Sequence, residues 1–216
     1  MSGKLWILGS ALIAGIALLL TQVWSSPAHA SAPVVGKNNT VLFLTNVEDG
    51  VSNVHVATAH ALLERHPDVS VHFASFAAMA PRLRRISAHK GPGAADVVFH
   101  EIEGDPLRKV ASELSGKNVT TRIHPPGVRG VGTVARDLQM YVWPWSGEQH
   151  MELYRQVSRV IVDVDPAVVV LDSLFRPGID AVRAQNRLHS VISPNTLIDT
   201  FIGQQPYGAM FWKYPA

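Results

Sequence analysis

Residues 40–75 read TVLFLTNVEDGVSNVHVATAHALLERHPDVSVHFAS, and this stretch decides the fold. Val41-Leu42-Phe43-Leu44 is an unbroken apolar run, the pattern of a strand buried on both faces. Asn46-Val47-Glu48-Asp49-Gly50 follows, rich in residues that favour turns. Val54, Thr58, Ala61 and Leu62 then recur at helical spacing. Pro67 closes that helix, because it has no amide hydrogen and disfavours helical backbone in the residue before it. Val69 to Ser75 alternates as a second strand. A strand, helix and strand joined by a right-handed crossover predict a parallel sheet. Ligands of such sheets bind at the carboxyl ends of the strands, so loop 46–53 is the first candidate functional segment.

The remaining chain extends the same alternation. Residues 96–102 predict a third strand and Leu107 to Leu114 a short helix. The trio Arg82, Arg84 and Arg85 is expected to form a solvated face. Met151, Leu153, Tyr154, Val157, Val160 and Ile161 predict a helix from Ser146 to Asp163, broken at Asp165-Pro166. Ala167 to Leu171 is a buried strand ending at Asp172. Pro177 suits the first turn of the next helix, to Arg187, and Leu188 to Ile192 is a fifth strand. The fold class is α/β, a Rossmann-like, doubly wound parallel sheet. Between residues 119 and 147 only a helix near 134–141 is expected. Gly127, Gly130 and Gly132 have the order G-x-x-G-x-G, which does not match a dinucleotide fingerprint.

Composition narrows the function. The 216 residues contain no cysteine, which excludes disulfides, thiolate metal sites and a cysteine nucleophile. A net charge of +2, with no basic run interleaved with aromatics, argues against nucleic acid as a partner. No histidine pair has metal-ligand spacing, so no metal is expected. Lys4, the uncharged stretch from Leu5 to Leu20 and the ending Ala28-His29-Ala30 have the parts of a secretory signal peptide. Residues 5–24 are also long enough for a membrane helix. The organisation expected is therefore a hydrophobic leader over 1–30, a polar linker over 31–39 and one domain over 40–216. Either leader reading places that domain in the secretory pathway, at the lumen or membrane of the endoplasmic reticulum.

Two motifs carry a family resemblance. One is Val41-Leu42-Phe43-Leu44-Thr45-Asn46 with Gly50-Val51-Ser52-Asn53-Val54. The other is Val168-Val169-Val170-Leu171-Asp172-Ser173-Leu174-Phe175 with Gly178-Ile179-Asp180-Ala181, followed by Ser193-Pro194-Asn195. Together, over about residues 40–212, they resemble the amino-terminal half of fungal UDP-glycosyltransferases of the two-domain GT-B fold. The resemblance implies hexosyl transfer from a UDP-sugar to a hydroxyl of a small or lipophilic acceptor. It implies no separate cofactor, the UDP-sugar being held mainly by a carboxyl-terminal domain. The family's base is a histidine on the first strand–helix loop, oriented by an aspartate. Asp172 matches that aspartate. Aligning Gly50 and Asn53 with the family's Gly-His-x-Asn places Val51 at the base, and valine accepts no proton. His55, one helical turn further on the same face, is the candidate substitute. Glu48, Gly50, Asn53, Trp143 and Trp145 are the candidate acceptor-binding residues.

The sequence to Ala216 contains no donor-binding signature. The reading is an acceptor-side fragment that needs a donor-domain partner. The alternatives are a non-catalytic binding protein of the secretory pathway or a membrane-anchored subunit of a split glycosyltransferase. With no G-x-S-x-G elbow and no ordered glycine fingerprint, a hydrolase or an oxidoreductase is the weakest reading.

Overall fold

The computed structural model describes residues 31–116, 140 and 142–194, and those from Pro33 onward belong to one unit. The leader, the glycines at 127, 130 and 132, Asn195 and nearly all of the helix expected over 134–141 lie outside the described residues. The chain runs through β1 (Lys37–Leu44), α1 (Asp49–Arg65) and β2 (Ser70–Ser75). A 3-10 turn (Ala77–Met79) leads into α2 (Ala80–Ala88), followed by β3 (Val98–Glu101) and α3 (Leu107–Ser115). Then come α4 (Gly147–Val164), β4 (Pro166–Asp172), α5 (Arg176–Ala184) and β5 (His189–Ile192). All strand pairings are parallel, in the order β3-β2-β1-β4-β5. This is the doubly wound, Rossmann-like arrangement, with its switch in strand order between β1 and β4.

The apolar run in β1 is buried because helices cover both sides of the sheet. Leu42 and Leu44 face one cluster, with Val110 of α3, Leu153 and Val157 of α4 and Val182 of α5. Val41 and Phe43 face the other, with Ala59 and Leu63 of α1 and Leu83 and Ile86 of α2. Side chains of a strand alternate between faces, so four consecutive apolar residues supply both layers.

Two boundaries differ from the sequence reading. From Val34 onward, the linker expected over 31–39 is paired structure. Val34 N–H donates to Asn186 O at 2.7 Å, and Leu188 N–H donates to Val34 O at 3.0 Å. β1 itself begins at Lys37, opposite Pro166. Backbone pairing needs no apolar side chain, which is why a polar segment conceals it. Gly36 is required for it, since a Cβ there would stand 2.2 Å from Asp165 O. The second difference is in the loop after β1. α1 starts at Asp49, with Glu48 O accepting from Val51 N–H at 3.1 Å and Ser52 N–H at 2.9 Å. Gly50, Val51 and Asn53 are thus helical. The buried face of α1 is Val51, Ser52, His55, Ala59 and Leu63, not the row through Val54, Thr58 and Leu62. Small and apolar residues surround this helix, so periodicity alone favours no single face.

α4 keeps its expected span. A capping box starts it, in which Ser146 Oγ accepts from Gln149 N–H at 3.2 Å and Gln149 Oε1 accepts from Ser146 N–H at 2.9 Å. At its other end Asp165 takes a left-handed conformation and pairs with Arg187, Nη2 to Oδ1 at 2.5 Å.

Candidate functional site

Asp172 ends β4 at the switch point, beside the end of β1. It is fully buried. Its Oδ2 accepts from Thr45 Oγ1 and from Asn46 N–H, each at 3.2 Å, with Asn46 Nδ2 at 3.5 Å. Its Oδ1 accepts from Leu174 N–H at 2.8 Å. One carboxylate therefore ties the carboxyl ends of the two central strands together and shapes the loop after β4. Thr45 and Asn46 are buried with it.

His55 is elsewhere in the core. Its Nδ1 lies 2.8 Å from Val51 O, one turn back on α1, and its ring meets the edge of Phe43 at 6.4 Å between centroids. The side chain is fully buried, and Nε2 has no partner among the described residues. The structure does not bring His55 and Asp172 into a hydrogen bond; each is engaged by other groups. Val51 is buried on the same face.

The other candidate residues divide. Glu48 lines an open cavity of about 740 Å³, together with Val47, Asp49, Arg82, Arg108 and Lys109. Asn53 does not line it, but its Oδ1 accepts from Nη1 of the lining residue Arg82 at 3.4 Å. A Cβ at Gly50 would meet open space. Trp145 is buried in the core, its Nε1–H donating to Asp105 O at 2.9 Å and its ring edge-on to Phe175. Trp143 is 52% exposed and stacks on His150, with the Arg176 guanidinium 5.9 Å from its centroid. The structure thus gathers Glu48, Gly50 and Asn53 at one end of α1, and places the tryptophans with α4 and α5.

Several polar groups escaped the sequence reading. Arg82 does not belong to a solvated face. It pairs with Asp49, and its Nη1 donates to Ser52 Oγ at 2.8 Å, fixing α2 to the first turn of α1. His150 Nε2 lies 3.0 Å from Asp180 Oδ2, joining α4 to α5. His72 Nδ1 and His100 Nε2 lie 2.9 Å apart on β2 and β3, with their rings stacked. Burial lowers the pKa of both histidines. His100 and Lys37 lower that of His72 further, and Asp163 partly opposes the effect at His100. Only the strand register makes these two residues neighbours, and a single sequence does not supply it.

Among the described residues no group of three or more side chains could hold a metal ion, and no helix is long and apolar enough to cross a membrane. No protein-family model matches the chain. Over 191 residues it is 31% identical to glycosyltransferase sdnJ of Sordaria araneosa, an alignment covering 83% of this chain and 36% of that protein. The chain is thus similar in sequence to a glycosyltransferase along most of its length. The chain spans a little over a third of the length of the curated protein it matches. Among solved structures it is similar to SsfS6, a glycosyltransferase of Streptomyces sp. SF2575. That match has a TM-score of 0.47 and 13% identity, and covers 70% of this chain and 38% of the other. It is also similar to a ugt transferase from Siraitia grosvenorii crystallised with UDP. Here the TM-score is 0.39 and the identity 14%, with 71% of this chain and 27% of the other covered.

Proposed function

We propose that this chain is the acceptor-side half of a GT-B glycosyltransferase, which transfers a hexosyl group from a UDP-sugar to a hydroxyl of a small or lipophilic acceptor. The observation that carries this reading is the similarity to sdnJ along most of the chain. The cavity beside Glu48 supports it, being concave, large enough for a small molecule and placed at the loop after β1. Asp172 acts here as a positioning residue, since its bonds to Thr45 and Asn46 fix the ends of β1 and β4 against each other. The full burial of His55 argues against its meeting an acceptor. The donor is held by a second domain that completes the enzyme. Residues 1–30 direct the chain into the secretory pathway, and residues 5–24 anchor it where they are retained.

The test has two parts. Calorimetry on this chain alone is expected to show no UDP-sugar binding; micromolar binding would overturn the division of labour between the halves. The chain is then supplied with a donor-binding domain and screened by mass spectrometry for glycosylated products. Absence of product with every nucleotide sugar tried rejects the activity.

A further inference from the structure

Asn38-Asn39-Thr40 has the form Asn-x-Ser/Thr without a central proline, the acceptor pattern for N-linked glycans. Chance produces this pattern in many chains, so its place in the fold decides its meaning. Here it falls at the start of β1. Lys37 is opposite Pro166 and Val41 is opposite Val168, with a shift of register between them. The ladder with β2 begins only at Thr40, opposite Ser70. Asn38 and Asn39 therefore occupy a bulge, which breaks the strand's alternation. Asn39 takes the left-handed conformation, φ 58°, which asparagine tolerates better than most residues. Its Nδ2 is occupied, donating to Asp68 Oδ2 at 3.3 Å. Asn38 is exposed, and its side chain has no hydrogen-bond partner among the described residues. The acceptor position of the pattern thus holds the free amide.

Thr40 is placed differently. It is 9% exposed, and its Oγ1 donates to Asn38 O at 3.4 Å. The pattern requires this hydroxyl as well as the amide. An enzyme that reads both must meet them before β1 is built into the sheet. The finished fold then has to tolerate the glycan only at Asn38, which is exposed. Asn38 is also near the amino end of β1, whereas the cavity lies at the loop after its carboxyl end. The strand from Asn38 to Leu44 spans about 20 Å at about 3.3 Å per residue. A bulky, polar glycan at Asn38 therefore leaves the cavity open.

We propose that Asn38 carries an N-linked glycan, added as the chain enters the secretory pathway and before β1 folds. This rests on the secretory reading given above. The donor is an oligosaccharide carried on a lipid diphosphate. Asn38 Nδ2 forms a bond to the anomeric carbon of its first sugar, and the amide gives up one proton. The bond from that carbon to the diphosphate oxygen breaks, and its electron pair leaves with the lipid diphosphate.

The experiment makes the full chain in a cell-free translation system supplied with microsomes. The N118Q variant removes the second pattern, Asn118-Val119-Thr120, which lies outside the described residues. N118Q is expected to run as a heavier band that an amidase specific for N-linked glycans returns to the unmodified position. Mass spectrometry should then find the deamidation left by that release at position 38. The N38Q/N118Q and T40A/N118Q chains should show no heavier band. Folded chain made in bacteria and added afterwards to detergent-opened microsomes should stay unmodified, and its modification would overturn the stated order. Protease added outside sealed microsomes separates the two ways of failing. A chain that is protected yet unmodified at Asn38 overturns this proposal alone. A chain that is digested and unmodified rejects the secretory reading and this inference with it.

Discussion

Asp172 and His55 are both fully buried polar side chains, yet their surroundings predict opposite responses to mutation. Removing Asp172 strands Thr45 Oγ1 and the amides of Asn46 and Leu174 inside the protein. Asp172→Ala is therefore expected to cost about 3 kcal/mol, read as a lower urea midpoint at unchanged m-value. A midpoint near wild type would mean that water or local movement satisfies those donors. His55 has a nitrogen with no partner, so an apolar replacement relieves one defect while losing the bond to Val51 O. His55→Leu is expected to stay within about 1 kcal/mol of wild type and to leave glycosyl transfer intact. Transfer falling with stability unchanged would return His55 to the chemistry.

At the scale of elements, β2 and β3 are joined by the His72–His100 contact as well as by their backbone ladder. Both histidines titrate lower in the folded protein than the ordinary 6.5. The unfolded chain therefore binds more protons once the pH falls below that value. Stability from this pair is complete above about pH 6.5 and is lost as the pH falls toward the lowered folded values. Urea midpoints measured from about pH 8 to about pH 5 should decline for wild type and decline less for the H72L/H100L double variant. Parallel slopes would show that the pair contributes nothing. The start of α4 gives a simpler case. Ser146→Ala removes the acceptor for Gln149 N–H and is expected to cost about 1 kcal/mol, checked by thermal melting.

For the molecule as a whole, β1 supplies both apolar clusters from alternate residues, so the two helix layers cannot separate without losing it. The sheet and the helices packed on it should unfold in one transition, with far-UV dichroism and tryptophan fluorescence coinciding. Leu42→Ala and Phe43→Ala, on opposite faces, should each lower that same transition by about 2–5 kcal/mol. Two separable transitions would mean that the layers are independent.

The fold was legible because burial leaves its mark on composition. Val41 to Leu44 and Ala167 to Leu171 are continuous apolar runs bounded by turn residues, and sheets covered on both faces produce that pattern. The place of Asp172 at a strand end was legible from the motif, whereas its bonds to Thr45, Asn46 and Leu174 were not. The polar start of β1 was not legible, because ladder bonds do not depend on side chains. The paired face of α1 was hidden because small residues surround the helix. The contacts of Glu48 with Arg108, Arg82 with Asp49, and His72 with His100 join residues far apart in sequence, through strand order and register. The sequence by itself determined the strand–helix alternation and the parallel sheet, because local pattern and short-range sterics set both. Only the tertiary structure decided that His55 is sealed in the core while Glu48 stands in a cavity wall. Exposure and hydrogen-bond partners depend on which distant elements close over a residue, and no local pattern encodes that.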